Sequence, residues 1–206
     1  VFDFSVYRVH FSFSVSYDGI IRYIGGKQKM KILVVVTNGF EDIEAVGTVA
    51  LLRRANLDVT FAAISSTEAM GRYNIHIDNL ENLSELDLSE FGMLVIPGGP
   101  EYIAEEKNPE FLKRILSFAQ QGKFIAAICA GPTILGHLGL LKGKNYTCFT
   151  SRNEDFGGTY IDKYAVRDGK IITGRSAAAV IDFAFCIIEA VQGKAKAEEV
   201  ARSIYY

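Results

Sequence analysis

Cysteine and histidine are both scarce in this 206-residue chain, with three of each. The cysteines are Cys129, Cys148 and Cys186. So odd and sparse a set argues against a disulfide scaffold and points to a reducing, cytoplasmic compartment. His10, His76 and His137 are too few and too scattered for a histidine-based metal centre, so no metal is expected. Excess charge of either sign is missing as well: 22 Lys and Arg face 24 Asp and Glu, a net of −2. Without a basic excess there is nothing to drive generic binding to a nucleic-acid backbone. No apolar run approaches the length of a membrane span, so no membrane partner is expected. The signatures G-x-G-x-x-G, P-loop, HExxH, CxxC and G-x-S-x-G are all absent. Dinucleotide, ATP and zinc-hydrolase readings therefore lack their chemical parts, and no cofactor is expected. What remains is an ordinary globular composition, 49% hydrophobic and 22% charged, sufficient for a sizeable core.

Residues 1–29 read unlike the rest. Phe2, Phe4 and Val6, then Phe11, Phe13 and Val15, alternate with polar residues at a strand-like period of two. Met30 opens the first strong core pattern. The expectation is that Met30 is the natural start, that residues 1–29 form an N-terminal extension outside the core, and that residues 30–206 form one domain. From Met30 onward, strand-like and helix-like stretches alternate. The apolar β-branched run at 32–36 reads as a strand buried on both faces, 59–64 as a second strand, and 93–96 and 124–128 as further core strands. Helices are predicted over 42–55, from Pro109 to about Ala119, over 133–141, 177–191 and 195–204. Strands are also predicted at 74–78 and 146–149. A hairpin is predicted from 160–166 to 170–173, turning at Arg167-Asp168-Gly169. Strands separated by helices argue for parallel βαβ units and a three-layer α/β fold.

In open α/β sheets, ligands gather where strands end at their carboxyl side. Three such ends are unusual: Thr37-Asn38-Gly39-Phe40-Glu41-Asp42-Ile43-Glu44, Pro97-Gly98-Gly99-Pro100 and Ile128-Cys129-Ala130-Gly131-Pro132. Cys129 sits where a buried strand must turn at once into a helix, flanked by small residues. That is the setting of a nucleophile elbow. Following N–H groups and a helix start would favour the thiolate, so a lowered pKa is expected for Cys129. Cys148 and Cys186 read as inert packing residues. Gly98 and Gly99 can end a strand for purely steric reasons, and their adjacent N–H groups can equally cradle an oxyanion opposite Cys129. Glu44 lies in the first turn of a helix, where acids commonly just face the dipole. Turned inward, it becomes a buried carboxyl with a raised pKa, able to donate to a thiolate or act as general acid and base. The two titrations are expected to be strongly coupled.

These residues resemble a known superfamily. Gly39-Phe40-Glu41-Asp42-Ile43-Glu44, Leu52-Arg53-Arg54-Ala55, Ile96-Pro97-Gly98-Gly99 and Ala126-Ala127-Ile128-Cys129-Ala130-Gly131-Pro132 are similar to ThiJ/PfpI proteins. The resemblance is best to the branch of the parkinsonism-associated protein deglycase and its bacterial homologues, and runs in order from Met30 to about residue 204. It implies a flavodoxin-like three-layer α/β sandwich with a mostly parallel sheet, of the class I glutamine amidotransferase type, usually as a homodimer. It implies Cys129 as the oxidisable nucleophile, Glu44 as its protonated partner, and the N–H groups of Gly99 and Ala130 as the anion pocket. The activities it implies are cofactor-free conversion of methylglyoxal or glyoxal, deglycation of glycated amines, and protection through cysteine oxidation with chaperone-like behaviour. The expected partners are a small carbonyl substrate or a glycated amine.

The resemblance has departures. Peptidase-like members carry histidine directly after the cysteine, where this chain has Ala130, which disfavours a peptidase or amidase. Some relatives bring a histidine from the position of Phe149, so Cys–His cooperation is not expected, and His137 reads as an ordinary helix-surface residue. Gly-Pro-Gly-Thr before the last long helix is replaced by Ser176-Ala177-Ala178-Ala179. Two readings follow: an enzyme acting on small reactive carbonyls through Cys129, or a non-catalytic redox sensor using the same cysteine.

Overall fold

The computed structural model describes residues 29–206. The expectations for residues 1–28 lie outside the described residues.

Seven strands form the main sheet: β1 (Lys31–Val36), β2 (Asp58–Ala63), β5 (Glu81–Asn82), β6 (Phe91–Ile96), β7 (Phe124–Ile128), β10 (Ala165–Asp168) and β11 (Ile171–Gly174). Two small pairs lie apart from it: β3 (Ala69–Met70) with β4 (His76–Ile77), and β8 (Asn145–Tyr146) with β9 (Thr159–Tyr160). The helices are α1 (Asp42–Arg54), α2 (Tyr102–Glu106), α3 (Pro109–Gln120), α4 (Gly131–His137), α5 (Val180–Gln192) and α6 (Lys194–Ser203). The sheet runs β10-β11-β7-β6-β1-β2-β5. Its neighbours are parallel except at the β10–β11 edge.

Why the central strands read as unbroken apolar runs is plain from their two faces. Leu33, Val35, Leu94, Ile96, Ile125 and Ala127 pack on one side with Phe111, Ile115 and Phe118 of α3 and Ile134 and Leu135 of α4. Ile32, Val34, Met93, Val95, Ala126 and Ile128 pack on the other with α1, α5 and α6. Successive residues alternate faces, so a strand buried twice needs apolar side chains at every position. The result is a flavodoxin-like sandwich with helices on both faces of a mostly parallel sheet.

Several ends are set by the chemistry read from the sequence. Asn108 accepts the Phe111 N–H at 3.1 Å, and Pro109 opens α3 behind that cap. Asn56 closes α1 at φ 57°, in the left-handed region. The predicted hairpin is shorter and shifted: Asp168 pairs with Ile171, leaving Gly169-Lys170 as a two-residue loop with Gly169 at φ 62°. Thr159–Tyr160 does not join it and runs instead beside Asn145–Tyr146. The strand predicted over 74–78 is two residues long and belongs to the separate β3–β4 hairpin. The predicted helix at 177 starts as a 3-10 turn before α5. The five-residue α2 is too short to show a helical apolar period.

Strand order positions the candidate site. β7, β6 and β1 are consecutive neighbours, so the three unusual strand ends emerge side by side at one edge of the sheet.

Candidate active site

β7 delivers Cys129 with its backbone at φ 63°, a conformation disfavoured for a side chain bearing a Cβ. Two hydrogen bonds hold this bend: the Cys129 N–H donates to Gly174 O at 2.9 Å, and the Phe149 N–H donates to Cys129 O at 2.8 Å. Cα geometry is thus fixed by β11 on one side and the following loop on the other. The sulfur faces a cavity of about 410 Å³, whose lining also includes Glu41, Glu44, Gly99, Ala130 and Phe149.

Glu44 comes from the first turn of α1. Glu41 caps that helix by accepting the Glu44 N–H at 2.9 Å, which turns the Glu44 side chain towards the sheet. Glu44 is fully buried. Its Oε2 accepts the Gly98 N–H at 2.8 Å, while Oε1 has no hydrogen-bond partner among the described residues. A buried oxygen that accepts nothing is the one suited to carry a proton. Burial accordingly pushes Glu44 up to about 7.

Gly98 occupies a space that no other residue fits. A Cβ there would lie 2.6 Å from Cys129 Cβ, 2.6 Å from Glu44 Oε2 and 2.8 Å from Ile128 O. Its N–H is spent on Glu44, and its carbonyl accepts the Glu41 N–H at 2.7 Å. The expectation that Gly98 offers an oxyanion donor is therefore corrected: it anchors the acid. Gly99, at φ 134°, lines the cavity, and the Ala130 N–H faces the sulfur.

The expected lowering of the Cys129 pKa is also corrected. Burial pushes the thiol up, and a charge on Glu44 pushes it further; only the Ala130 N–H works the other way. The raised thiol keeps its proton where Glu44 titrates near 7, so the pair carries one negative charge, on Glu44, only above that point. The short helix behind Cys129 does not outweigh the loss of water around the sulfur.

Cys148 is fully buried in the core, as read from its strand-like surroundings. Cys186 is half-buried and borders a separate hollow of about 580 Å³ with Tyr164, Arg175 and Phe185. His137 is outside the cavity lining. It contacts Glu106 at 2.6 Å and Glu154 at 3.1 Å, and these carboxylates raise its pKa, Glu154 most. It is exposed on the surface of α4, as the sequence suggested, and ties that helix to α2 and to the loop after β8.

Two more acids, missed at the sequence level, sit behind the cavity. Burial raises Glu105 to about 8, and burial together with Glu105 raises Glu101 to about 10. Nothing in Glu101-x-x-x-Glu105 marks these as buried, because acids on a short helix are usually solvated. Glu44, Glu101 and Glu105 bind protons more tightly folded than unfolded. The stability they contribute is complete below about pH 4.5 and is lost as pH rises towards 7 and beyond. We expect the urea midpoint to fall between pH 5 and 8.5, by the equivalent of about 3 kcal/mol or more. A midpoint that rises over this interval would contradict the burial of these carboxyls.

Known proteins resemble this chain over most of its length. The DJ-1/PfpI family profile matches residues 30–190. The chain belongs to the DJ-1/PfpI family. It is 32% identical over 177 residues to the protein named dj-1beta of Drosophila melanogaster, covering 84% of this chain and 95% of that one. It is 32% identical over 152 residues to the protein named deglycase PfpI of Pyrococcus furiosus, covering 71% of this chain and 90% of that one. Among solved structures, a cysteine-to-alanine mutant of a DJ-1 superfamily protein from Salmonella typhimurium superposes with TM-score 0.81. It is 32% identical and covers 86% of this chain and 98% of that one. Phe149 borders the cavity, and among the described residues no histidine lines it. Among the described residues, no helix is long and apolar enough to cross a membrane.

Proposed function

We propose that this protein is a cysteine-dependent enzyme of carbonyl stress, converting small 2-oxoaldehydes such as methylglyoxal to 2-hydroxy acids, or releasing them from glycated amines. The observation that carries this reading is the buried Glu44, its Oε1 free to hold a proton, set against a cysteine bent into the cavity. The Cys129 thiol passes its proton to the Glu44 carboxylate as Sγ adds to the aldehyde carbon, and Glu44 returns that proton to the new alkoxide to give a hemithioacetal. Gly99 and Ala130 N–H groups stabilise the developing oxyanion. The Glu44 carboxylate then removes the proton on that carbon and returns it to the neighbouring ketone carbon, while the hydroxyl proton passes to the ketone oxygen, leaving a thioester. Water cleaves the thioester, releasing the hydroxy acid and the thiol. One carbon is oxidised and its neighbour reduced, so no cofactor or outside oxidant is required.

Deglycase names among the relatives support the same reading. We place the reaction in a homodimer within a reducing cytoplasm. Exposed Ile43 and Val46 on α1, with Met70, Tyr73 and Ile75 of the adjoining hairpin, form an apolar face suited to a second copy. The domain spans residues 30–206, with 1–29 as an extension. The test is lactate formation from methylglyoxal by the purified protein; no lactate refutes the enzyme reading.

A redox sensor is the second reading, supported by the same cavity. Cys129 is reachable there, whereas Cys148 is sealed. Mass spectrometry after mild peroxide is expected to find Cys129 oxidised first. Earlier oxidation of Cys186 or Cys148 would exclude this role.

A further inference from the structure

Two arginines stand at the same cavity without a carboxylate of their own. Arg72 comes from the loop of the β3–β4 hairpin, and its guanidinium lies 5.5 Å from the centre of the Tyr73 ring. Arg152 comes from the turn after Phe149, and its guanidinium lies 5.4 Å from the centre of the Tyr102 ring. Neither guanidinium makes an ion pair or hydrogen bond among the described residues. Arg175, which borders the neighbouring hollow, is by contrast already paired with Asp162 at 2.6 Å.

Both arginines rest on fixed backbone. The Arg72 N–H donates to Phe40 O at 2.8 Å, and the next N–H, of Tyr73, donates to Asp42 Oδ2 at 2.9 Å. The Arg152 N–H donates to Phe149 O at 2.8 Å, and its carbonyl accepts from Thr133 Oγ1 at 3.4 Å. A guanidinium held over an aromatic face keeps its planar fork of donors available. The negative charges bordering the cavity are Glu41, already occupied as a helix cap, and the charge that Glu44 carries above about pH 7. Two spare cationic forks therefore remain for whatever enters.

Resting on the carbonyl reading above, we propose that Arg72 and Arg152 select substrates that carry a carboxylate, so that the preferred compound is an acidic 2-oxoaldehyde rather than methylglyoxal itself. The carboxylate bonds to the guanidinium forks while the aldehyde carbon meets Cys129. The reaction is unchanged: the aldehyde carbon is oxidised, the adjacent ketone carbon is reduced, and water is consumed.

The test compares 4,5-dioxopentanoate with its methyl ester, which differ in that one charge. The acid is expected to be preferred in kcat/KM by at least about tenfold. That preference is expected to collapse towards one in Arg72→Gln and Arg152→Gln and to return in part with lysine at either position. Equal kcat/KM for acid and ester in the wild type overturns the inference and leaves the carbonyl reading standing. A second measurement needs no turnover: the rate of Cys129 alkylation by iodoacetate relative to iodoacetamide, referenced to free cysteine. The anionic reagent is expected to be favoured at least about tenfold, and the ratio to fall in both variants. If neither oxoaldehyde is consumed, the carbonyl reading fails while this ratio still decides whether the arginines recruit anions. A ratio equal to that of free cysteine refutes them.

Discussion

Cys129→Ser is expected to lower lactate formation from methylglyoxal by at least about 10³-fold, a loss of about 4 kcal/mol or more of transition-state stabilisation. Serine keeps the shape of the bend, and its hydroxyl can still contact Glu44. What it lacks is the sulfur: even with its pKa raised, a thiol gives up its proton to Glu44 far more readily than an alcohol does and is the stronger nucleophile, so addition to the aldehyde fails at the elbow. The fold should be untouched, since the strain of φ 63° is the same for both residues. Glu44→Gln separates the nucleophile from the proton transfer. The amide can still accept the Gly98 N–H but cannot shuttle a proton between carbon and oxygen. Turnover is expected to fall about 10²-fold while Cys129 is still alkylated, now with a single-step pH profile in place of a coupled one. Wild-type turnover in either variant would remove Cys129 and Glu44 from the proposed chemistry.

Gly98→Ala is expected to be severely damaging. Its Cβ would fall within 2.8 Å of Cys129, of Glu44 Oε2 and of Ile128 O. None of the three can yield cheaply, because Ile128 O is strand backbone and Glu44 is fully buried. We expect a loss of about 3 kcal/mol in urea unfolding together with loss of Cys129 reactivity. Gly122→Ala is the control. It meets a backbone in the left-handed region, at φ 64°, which Gly98 does not, but with open space around the new methyl, so about 1 kcal/mol is expected. Comparable losses at the two positions would mean that the tight contacts around Gly98 are not what fixes the pocket.

Gly98 also shows the limit of reading the chain by itself. A Gly-Gly pair ending a strand fits an oxyanion cradle, a tight turn or a close approach equally well. Only the folded structure shows its N–H given to Glu44 and its missing side chain given to Cys129. The same limit applies to the acids. Glu41, Glu44, Glu101 and Glu105 look alike along the chain, yet one caps a helix, one faces the sulfur and two lie sealed behind the cavity.

Local chemistry is what the chain determined unaided. Unbroken β-branched runs require strands covered on both faces, and Asn108-Pro109 starts a helix wherever it is placed. A cysteine between a buried strand and Gly131-Pro132 has no room except on a sharp bend. Those signals act within a few residues, so they survive without knowledge of neighbours. Protonation, burial and charge partners do not, because they depend on which distant segments the sheet order sets side by side. That is why the elbow was legible but the direction of the Cys129 shift was not. It is also why Arg72 and Arg152, 80 residues apart along the chain, became a pair only when the fold brought both to one cavity.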